Sequence, residues 1–233
     1  MKKLVVFGAD DYAEVAKYLF DHDSEYETVA FAVDPEYIHS DNFCDLPLIG
    51  FDRIEKVYPP SKYEMFLAMG YSKVNRRREE KYRAAKEKGY KLATYVSSKA
   101  TVWDTLKIGD NSFVFEHNNI QPFTEIGSNV VLWSGNHIGH HSKIGDHVFI
   151  TSHVVISGRC VVGDHCFIGV NATLHDHVKL APRTVVSAGA LIAHDTESDS
   201  VYKAAATEKN ERSSSQLSYF GGNHEQKYPG SDR

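Results

Sequence analysis

The most regular feature of this chain is an aliphatic residue that recurs every six positions. From Val96 to Ile192 the step is never broken, so that seventeen consecutive positions carry Val, Ile or Leu. Four residues after most of them the side chain is small or β-branched, as at Ser112, Val148 and Ala172. A period of six does not match the period of about 3.6 residues of an α-helix. The glycines and β-branched residues of this region disfavour a helix further.

Three short strands joined by three corners account for this period. In such a coil each aliphatic side chain points inward, the small residue fills the inside of a corner, and the remaining residues face outward. Eighteen residues then make one turn, and the seventeen hexads predict between five and six turns. A β-sandwich is the alternative, but its strands are spaced more widely and less regularly.

The first ninety residues follow a different pattern, in which strands alternate with helices. Apolar runs predict strands at 4–7, 28–33 and 64–69, and a basic helix at 74–88. A helix also follows the first strand, with an acidic N-cap and with a buried face formed by Val15, Ala16, Leu19 and Phe20. This alternation predicts a small parallel sheet with helices around it. We therefore predict an α/β domain at 1–92, the coil at 93–200 and a polar tail at 201–233.

Ligands of parallel sheets bind at the carboxyl ends of the strands, which here lie near Gly8, Asp34 and Gly70. The first loop, Gly-Ala-Asp-Asp, lacks the G-x-G-x-x-G pattern, and its two carboxylates would repel a diphosphate. A nucleotide held by its base and ribose fits better than a dinucleotide. Asp34 is either a contact to that base or ribose, or a residue of the turn that ends the strand.

Composition and charge exclude several classes of protein. A net charge of −5 argues against a protein that binds nucleic acid through bulk charge. No apolar run is long enough to span a membrane, and Asp10 and Asp11 interrupt the N-terminal apolar run too early for a signal peptide. Three cysteines form no disulfide framework, which favours a reducing, cytoplasmic location. Cys160 and Cys166 occupy small inward positions, where we expect them to fill the core.

The two segments together resemble the family of sialic acid O-acetyltransferases and nucleotide-aminosugar N-acetyltransferases. The sequence at 8–14, G-A-D-D-Y-A-E, stands where that family has G-A-x-G-[HF]-[AG]-[KR], and F-L-A-M-G at 66–70 stands at its F-[IL]-A-[IL]-G, before a basic helix. Two features depart from the family pattern. Asp11 replaces the second glycine, and no G-x-P-A signature follows the last coil.

This resemblance implies a Rossmann-like nucleotide-sugar-binding domain followed by a left-handed parallel β-helix. It also implies a homotrimer whose active sites lie in the clefts between subunits. The activity it implies is transfer of an acetyl group from acetyl-CoA to the amino group of a nucleotide-linked deoxyamino sugar, for surface glycan (lipopolysaccharide-type) synthesis. It places the substrate at Gly8, Asp10, Tyr12, Asp34, Gly70 and Tyr71, and the acetyl-CoA at Gly158, Ala188, Gly189 and Lys203.

Most of the 13 histidines lie between 117 and 177, and one stretch matches the family's catalytic segment. Matching Ile144-Gly145-Asp146 to the family places the general base at His140 and puts His141 where the family has a carboxylate. A base that titrates near neutral pH can take the proton of an attacking amine. Asn136 and His137 are assigned to the substrate, Gly139 and Gly158 are candidate oxyanion donors, and Glu116 is a candidate partner that orients His140.

Other interpretations stay open at this point. Outward histidines such as His147 and His165, which are 18 residues apart, pack at interfaces or contact water. A zinc hydratase on a similar coil would need two histidines five residues apart, and no pair has that spacing, so we expect no metal. An O-acetyltransferase for a free sugar acid such as a sialic acid could use Lys143 and Arg159 to bind the carboxylate. A non-catalytic trimeric scaffold is the remaining alternative.

Overall fold

The protein consists of an α/β segment followed by a β-helix, which confirms the predicted fold class. The computed structural model describes residues 1–209, 211, 213 and 214, so most of the predicted tail lies outside the described residues. Among the described residues, no helix combines the length and the apolar character needed to cross a membrane.

The N-terminal sheet has five strands in the order β3-β4-β2-β1-β5, of which only β3 runs antiparallel to its neighbour. The strands are β1 (Lys2–Phe7), β2 (Tyr26–Val33), β3 (Asn42–Phe43), β4 (Leu46–Gly50) and β5 (Glu64–Leu67). The helices are α1 (Asp11–His22), α2 (Ile54–Val57) and α3 (Arg76–Glu87), with a 3₁₀ turn at Pro35–Tyr37. The β3–β4 hairpin is missing from the sequence prediction because its strands are short and Pro47 interrupts the second.

Helix α1 starts as predicted, because the Asp10 carboxylate accepts a hydrogen bond from the Ala13 N–H at 3.0 Å. Its buried face is formed by Tyr12, Ala13, Ala16 and Phe20. The prediction that Val15 is buried is wrong, since its side chain is 37% exposed. Residues four apart share a helix face, and the face that contains residues 12, 16 and 20 turns Val15 outward.

The coil has three faces of short parallel strands, which the chain visits in turn. Face 1 contains Tyr95–Val96, Phe113–Val114, Val131–Leu132, Phe149–Ile150, Phe167–Ile168, Val185–Val186 and Val201–Tyr202. Face 2 contains Asn119–Ile120, His137–Ile138, Val155–Ile156, Thr173–Leu174 and Leu191–Ile192. Face 3 contains Lys107–Ile108, Glu125–Ile126, Lys143–Ile144, Val161–Val162 and Lys179–Leu180. The strand Val201–Tyr202 carries the coil past its predicted end at residue 200.

The hexad aliphatic residues form the core of this coil. Every one of them from Val114 to Ile192 is buried, with at most 5% of its surface exposed. Burial of one such side chain contributes roughly 1.5–3 kcal/mol to folding. Val102, in the first turn of the coil, is 39% exposed. On face 2 this turn pairs with the next one only through a single bridge, between Thr101 and Asn119.

The N-terminal segment packs on face 1 and on the corner between faces 3 and 1. The ring of Tyr12 contacts Phe113, Phe115 and Trp133 of the coil. At the corner, the fully buried Arg78 donates hydrogen bonds to the carbonyls of His147 (2.8 Å) and Val148 (3.1 Å). These contacts fix α3, and with it one wall of the cleft described below, against the coil.

Candidate active site

The His140 and His141 side chains stand together at the corner between faces 2 and 3, and both are exposed. Their Nδ1 atoms are 3.1 Å apart, so that one ring donates a hydrogen bond to the other. No hydrogen bond to His140 Nε2 is found among the described residues. If His140 is the donor, its Nε2 carries the free lone pair that a general base requires.

The next turn of the coil lies directly against the His140 ring. A Cβ atom at Gly158 would lie 2.9 Å from both Cε1 and Nε2 of this ring, so only glycine fits there without moving it. The Gly158 N–H donates to Asp176 Oδ1 at 2.8 Å, and the Gly139 N–H donates to the Ile156 carbonyl at 2.7 Å. Both candidate oxyanion donors, the Gly139 and Gly158 N–H groups, therefore already have hydrogen-bond acceptors in this structure.

Glu116 does not orient His140 within one chain. It lies at the corner between faces 1 and 2, whereas His140 lies at the corner between faces 2 and 3. Its Oε1 atom accepts a hydrogen bond of 2.6 Å from the Ser134 hydroxyl, one turn above. In this chain His141 is thus the group that contacts His140 Nδ1.

A cleft of about 450 Å³ opens at the carboxyl ends of β1, β2 and β5, where the sequence predicts a ligand. Among the predicted residues, Gly8, Asp10, Asp34 and Gly70 line it. Asp34 forms an ion pair with Lys81 and directly precedes the 3₁₀ turn, so it is both a turn residue and a cleft residue. The sequence analysis missed the α3 side of the cleft, which consists of Arg77, Glu80 and Lys81.

The two predicted tyrosines do not line this cleft. Tyr12 is buried between the segments, 9% exposed, and its hydroxyl has no hydrogen-bond partner among the described residues. Tyr71 is 53% exposed, and its ring packs on Phe149 and Phe167 of face 1. Tyr12 is thus a core residue, which corrects its assignment to the substrate. Tyr71 comes directly after the cleft residue Gly70 in sequence, but its side chain contacts the coil and not the cleft.

Of the two residues Asn136 and His137, only Asn136 lies where it contradicts the predicted substrate contact. Asn136 is 1% exposed; its amide donates to the Trp133 carbonyl, and its Oδ1 accepts the Val154 N–H at 2.7 Å. It therefore stabilises a corner and cannot contact a substrate. His137 lies in the outward row of face 2, paired with Asn119 and Val155 on the neighbouring turns.

The residues predicted to hold acetyl-CoA lie at two different corners. Gly158 is at the corner of His140, whereas Ala188 and Gly189 are exposed at the corner between faces 1 and 2. Lys203, also exposed, directly follows the last strand of face 1. One chain therefore does not bring the four together. Both corners flank face 2.

A second group of polar side chains, which the sequence analysis missed, lies where α3 meets the coil. Glu79 accepts a hydrogen bond of 2.7 Å from His165 Nε2, and His147 Nε2 lies 3.9 Å from the same carboxylate. Burial lowers the pKa of His147 to about 4, and the charges of His165 and Arg78 act in the same direction. The 18-residue spacing of the two histidines was visible in the sequence, but the position of Glu79 was not.

Comparison with known proteins supports this architecture. Residues 123–158 match the profile of the bacterial transferase hexapeptide family, six repeats. The chain has the fold of the hexapeptide-repeat transferases. No curated protein matches the chain significantly in sequence.

Solved structures with this transferase fold align with both segments of the chain. Perosamine N-acetyltransferase from Caulobacter crescentus, in complex with CoA and GDP-perosamine, is 20% identical, with a TM-score of 0.76 over 86% of this chain and 91% of that one. The acetyltransferase domain of PglB from Neisseria gonorrhoeae is 22% identical, with a TM-score of 0.77 over 86% and 96%. The complex of the same domain with acetyl coenzyme A is 23% identical to this chain, with a TM-score of 0.74 over 83% of this chain and 92% of that one.

Proposed function

We propose that this chain is an acetyltransferase that moves an acetyl group from acetyl-CoA to the amino group of a nucleotide-linked deoxyamino sugar. The observation that carries the proposal is the position of His140: exposed at a corner of the coil, tied through Nδ1 to His141, and seated over a glycine. The nucleotide-sugar and CoA complexes of proteins with the same fold support it.

In the proposed reaction the amine nitrogen attacks the thioester carbonyl while His140 Nε2 removes its proton. The tetrahedral intermediate then collapses, the C–S bond breaks, and the imidazolium returns the proton to the CoA sulfur. In this mechanism His141 Nδ1 accepts a hydrogen bond from the His140 Nδ1–H, and this contact keeps the lone pair of His140 Nε2 available. Because Asp176 occupies the Gly158 N–H, the acyl oxygen has to compete with that carboxylate for this donor.

The nucleotide occupies the cleft at the strand ends in this proposal. Arg77 supplies positive charge for the phosphates, and Asp34, whose Oδ1 is paired with Lys81, keeps its second carboxylate oxygen as the acceptor for a base or ribose donor. No residue of the His140 corner lines this cleft. In this proposal a second copy of the chain supplies the His140 that reaches the sugar.

Face 2 is the surface that suits assembly into a trimer. Face 1 is largely covered by the N-terminal segment, and the outward row of face 3 contains the ion pairs of Glu125 with Lys107 and Lys143. The outward row of face 2 carries no carboxylate, lysine or arginine: Asn119, His137, Val155, Thr173 and Leu191. Packing of face 2 against another copy would bring the Gly158 corner of one chain towards the Ala188 corner of another, where acetyl-CoA is expected.

The test is a screen of acetyl-CoA turnover against UDP-, dTDP- and GDP-linked amino sugars, with His140→Ala alongside. We expect turnover of at least one amino sugar and a loss of at least 100-fold in His140→Ala, since general-base catalysis contributes about 10²–10⁴. Undiminished turnover in the variant would exclude His140 as the base. Turnover of a free hydroxylated sugar acid alone would favour the O-acetyltransferase, with Arg159 beside His140 as the carboxylate contact. The acetylated amino sugar would enter surface glycan synthesis, and we place the enzyme in the cytoplasm.

A further inference from the structure

The junction between α3 and the coil brings together one carboxylate and two imidazoles. Glu79 of α3 and His147 and His165 of successive coil turns place one ligand atom each within 4.8 Å of one another. Within the described part of the chain this is the single group of three such side chains. Their side chains are 19%, 10% and 15% exposed, so the group is shielded but still open to solvent on one side.

We propose that Glu79, His147 and His165 bind a divalent transition-metal ion, with Zn²⁺ the preferred ion, and that this ion ties α3 to the coil. Two imidazole nitrogens and a carboxylate oxygen form a ligand set that Zn²⁺ uses, with one coordination position left for water. In a tetrahedral zinc site the ligand atoms are about 3.3 Å apart. Here His165 Nε2 lies 2.7 Å from Glu79 Oε2, and His147 Nε2 lies 3.9 Å from Glu79 Oε1. With one ligand atom taken from each residue, the three atoms lie within 4.8 Å of one another, so that small side-chain shifts would be needed to reach the tetrahedral spacing.

A chain of buried amides sets the state of His147 before any metal binds. The Leu67 N–H donates to Asn111 Oδ1, Asn111 Nδ2 donates to Asn129 Oδ1, and Asn129 Nδ2 contacts His147 Nδ1, each at 2.8 Å. A backbone N–H can only donate, so it fixes the direction of every bond in the chain. His147 Nδ1 must then accept, and the proton of the neutral ring sits on Nε2.

His165 donates to Glu79 through Nε2, so metal binding at this atom moves its proton to Nδ1, a buried atom with no hydrogen-bond partner among the described residues. Metal binding through His147 Nε2 likewise requires the proton to move to Nδ1. Both asparagine amides would have to turn over, and the Leu67 N–H would then face an NH₂ group. Glu79 must also release Arg83, whose exposed guanidinium contacts Oε1 at 2.6 Å. We thus expect weaker binding than at a preformed site, and one substitution should correct this. In Asn129→Asp, one carboxylate oxygen still accepts a hydrogen bond from Asn111, while the other accepts a hydrogen bond from the His147 Nδ1–H, the arrangement that strengthens histidine ligands.

The experiment is calorimetric titration of ZnCl₂ into the untagged full-length chain after removal of metals with a chelator. Cobalt absorption in the visible range reports the coordination, and thermal melting reports the stability. We expect one Zn²⁺ per chain, an affinity reduced at least about 10-fold in His165→Asn and in Glu79→Gln, and an affinity raised about 10-fold in Asn129→Asp. Zn²⁺ should raise the melting temperature of the wild type but not that of His165→Asn.

The matched control is His117→Asn. His117 and His165 both occupy left-handed corner positions, with φ of 58° and 63°, which asparagine tolerates. The control should bind Zn²⁺ like the wild type. Equal binding in the wild type, His165→Asn and Glu79→Gln would show that exposed histidines hold the ion, and it would overturn the proposal. Absence of Zn²⁺ binding in the wild type would overturn it as well.

Discussion

The His140 ring lies directly over Gly158, one turn further along the coil, at a distance that leaves no room for a side chain. A methyl group at 158 would approach the ring atoms Cε1 and Nε2 to 2.9 Å. The atoms in the way belong to an exposed side chain, which can rotate. The contact therefore constrains the position of His140 more than it constrains stability.

We expect Gly158→Ala to lower kcat by at least about 10-fold, because a base displaced by about 1 Å loses its reactive geometry. The melting temperature should change little. Steady-state kinetics of Gly158→Ala, His140→Ala and the double variant provide the measurement. If Gly158 acts through His140, the double variant has the activity of His140→Ala alone. Additive losses would instead assign Gly158 a separate role, such as a contact with the CoA arm.

Substitution of His141 should change the pH dependence of the reaction. His141 contacts His140 Nδ1 at 3.1 Å. It stands where the acetyltransferase family that this chain resembles has a carboxylate. His141→Asp keeps an acceptor and tolerates the left-handed backbone, with φ of 58° at this position. A carboxylate stabilises the protonated imidazole, so the acid limb of the kcat/KM profile should move to higher pH. His141→Ala should lower kcat without that displacement. An unchanged profile in His141→Asp would contradict the role of this contact.

Assembly through face 2 can be tested with two matched valines. Val155 on face 2 and Val161 on face 3 are 40% and 38% exposed, and both lie in outward rows of the coil. Val155→Glu should dissociate the oligomer, because a buried unpaired carboxylate destabilises an interface. Val161→Glu lies between Lys143 and Lys179 and should leave assembly intact. Light scattering coupled to size exclusion measures the mass. The reverse result would place the interface on face 3.

Asn75 should contribute strongly to the docking of α3 on the coil. It is fully buried with φ of 63°, and its amide donates to the carbonyls of His165 (3.0 Å) and Cys166 (3.1 Å). Asn75→Gly keeps the backbone conformation but removes both bonds, and we expect it to lower the free energy of unfolding by about 1–3 kcal/mol. Asn75→Asp places a carboxylate against two carbonyls and should be at least as destabilising. Urea unfolding gives both values, and a wild-type midpoint in either variant would refute the docking role.

Asp23, where α1 meets the coil, makes the stability of the fold dependent on pH in the acid range. Its Oδ2 accepts hydrogen bonds from the Ser98 N–H (2.9 Å), Tyr95 hydroxyl (2.7 Å) and Ser97 hydroxyl (3.3 Å). The Ser98 side chain above all, together with the Tyr95 hydroxyl and the Ser98 N–H, lowers the pKa of Asp23 to about 2 from its usual 3.8. A carboxyl group whose pKa is lowered by folding stabilises the fold at pH values above the pKa that it has in the unfolded chain. This stabilisation is lost as the pH falls through the pKa that the group has in the folded protein.

We therefore expect Asp23→Asn to melt at a lower temperature than the wild type at pH 7. The difference should shrink as the pH falls from about 4 to about 2, where the wild-type carboxyl group becomes protonated. Thermal melts of both proteins across this range provide the measurement. A difference that is independent of pH would mean that the charge of Asp23 does not contribute.

The coil can be predicted from the amino-acid sequence alone, because each hexad repeats the same local geometry. In every corner from 109–112 to 181–184, the third residue either has a left-handed backbone conformation or is a glycine. Six of these third residues are histidines: His117, His141, His147, His153, His165 and His177. Asn, Asp and His adopt that conformation more readily than most residues. The period of six thus accounts for the presence of most of the clustered histidines at these corners, whether or not a given histidine also contacts a ligand. The cap of α1 and the strand ends were equally readable, since they depend on neighbouring residues.

Which of these residues lie together depends on long-range packing, which the sequence pattern does not show. A period assigns a residue to a face or a corner, but it does not show what packs on it: Tyr12 and Asn136 were assigned to the substrate and are buried instead. The cleft contributions of Arg77 and Lys81, and the meeting of Glu79 with His165, depend on how α3 docks. That docking rests on hydrogen bonds such as those from Arg78 to carbonyls some 70 residues away in sequence, and no local pattern records them.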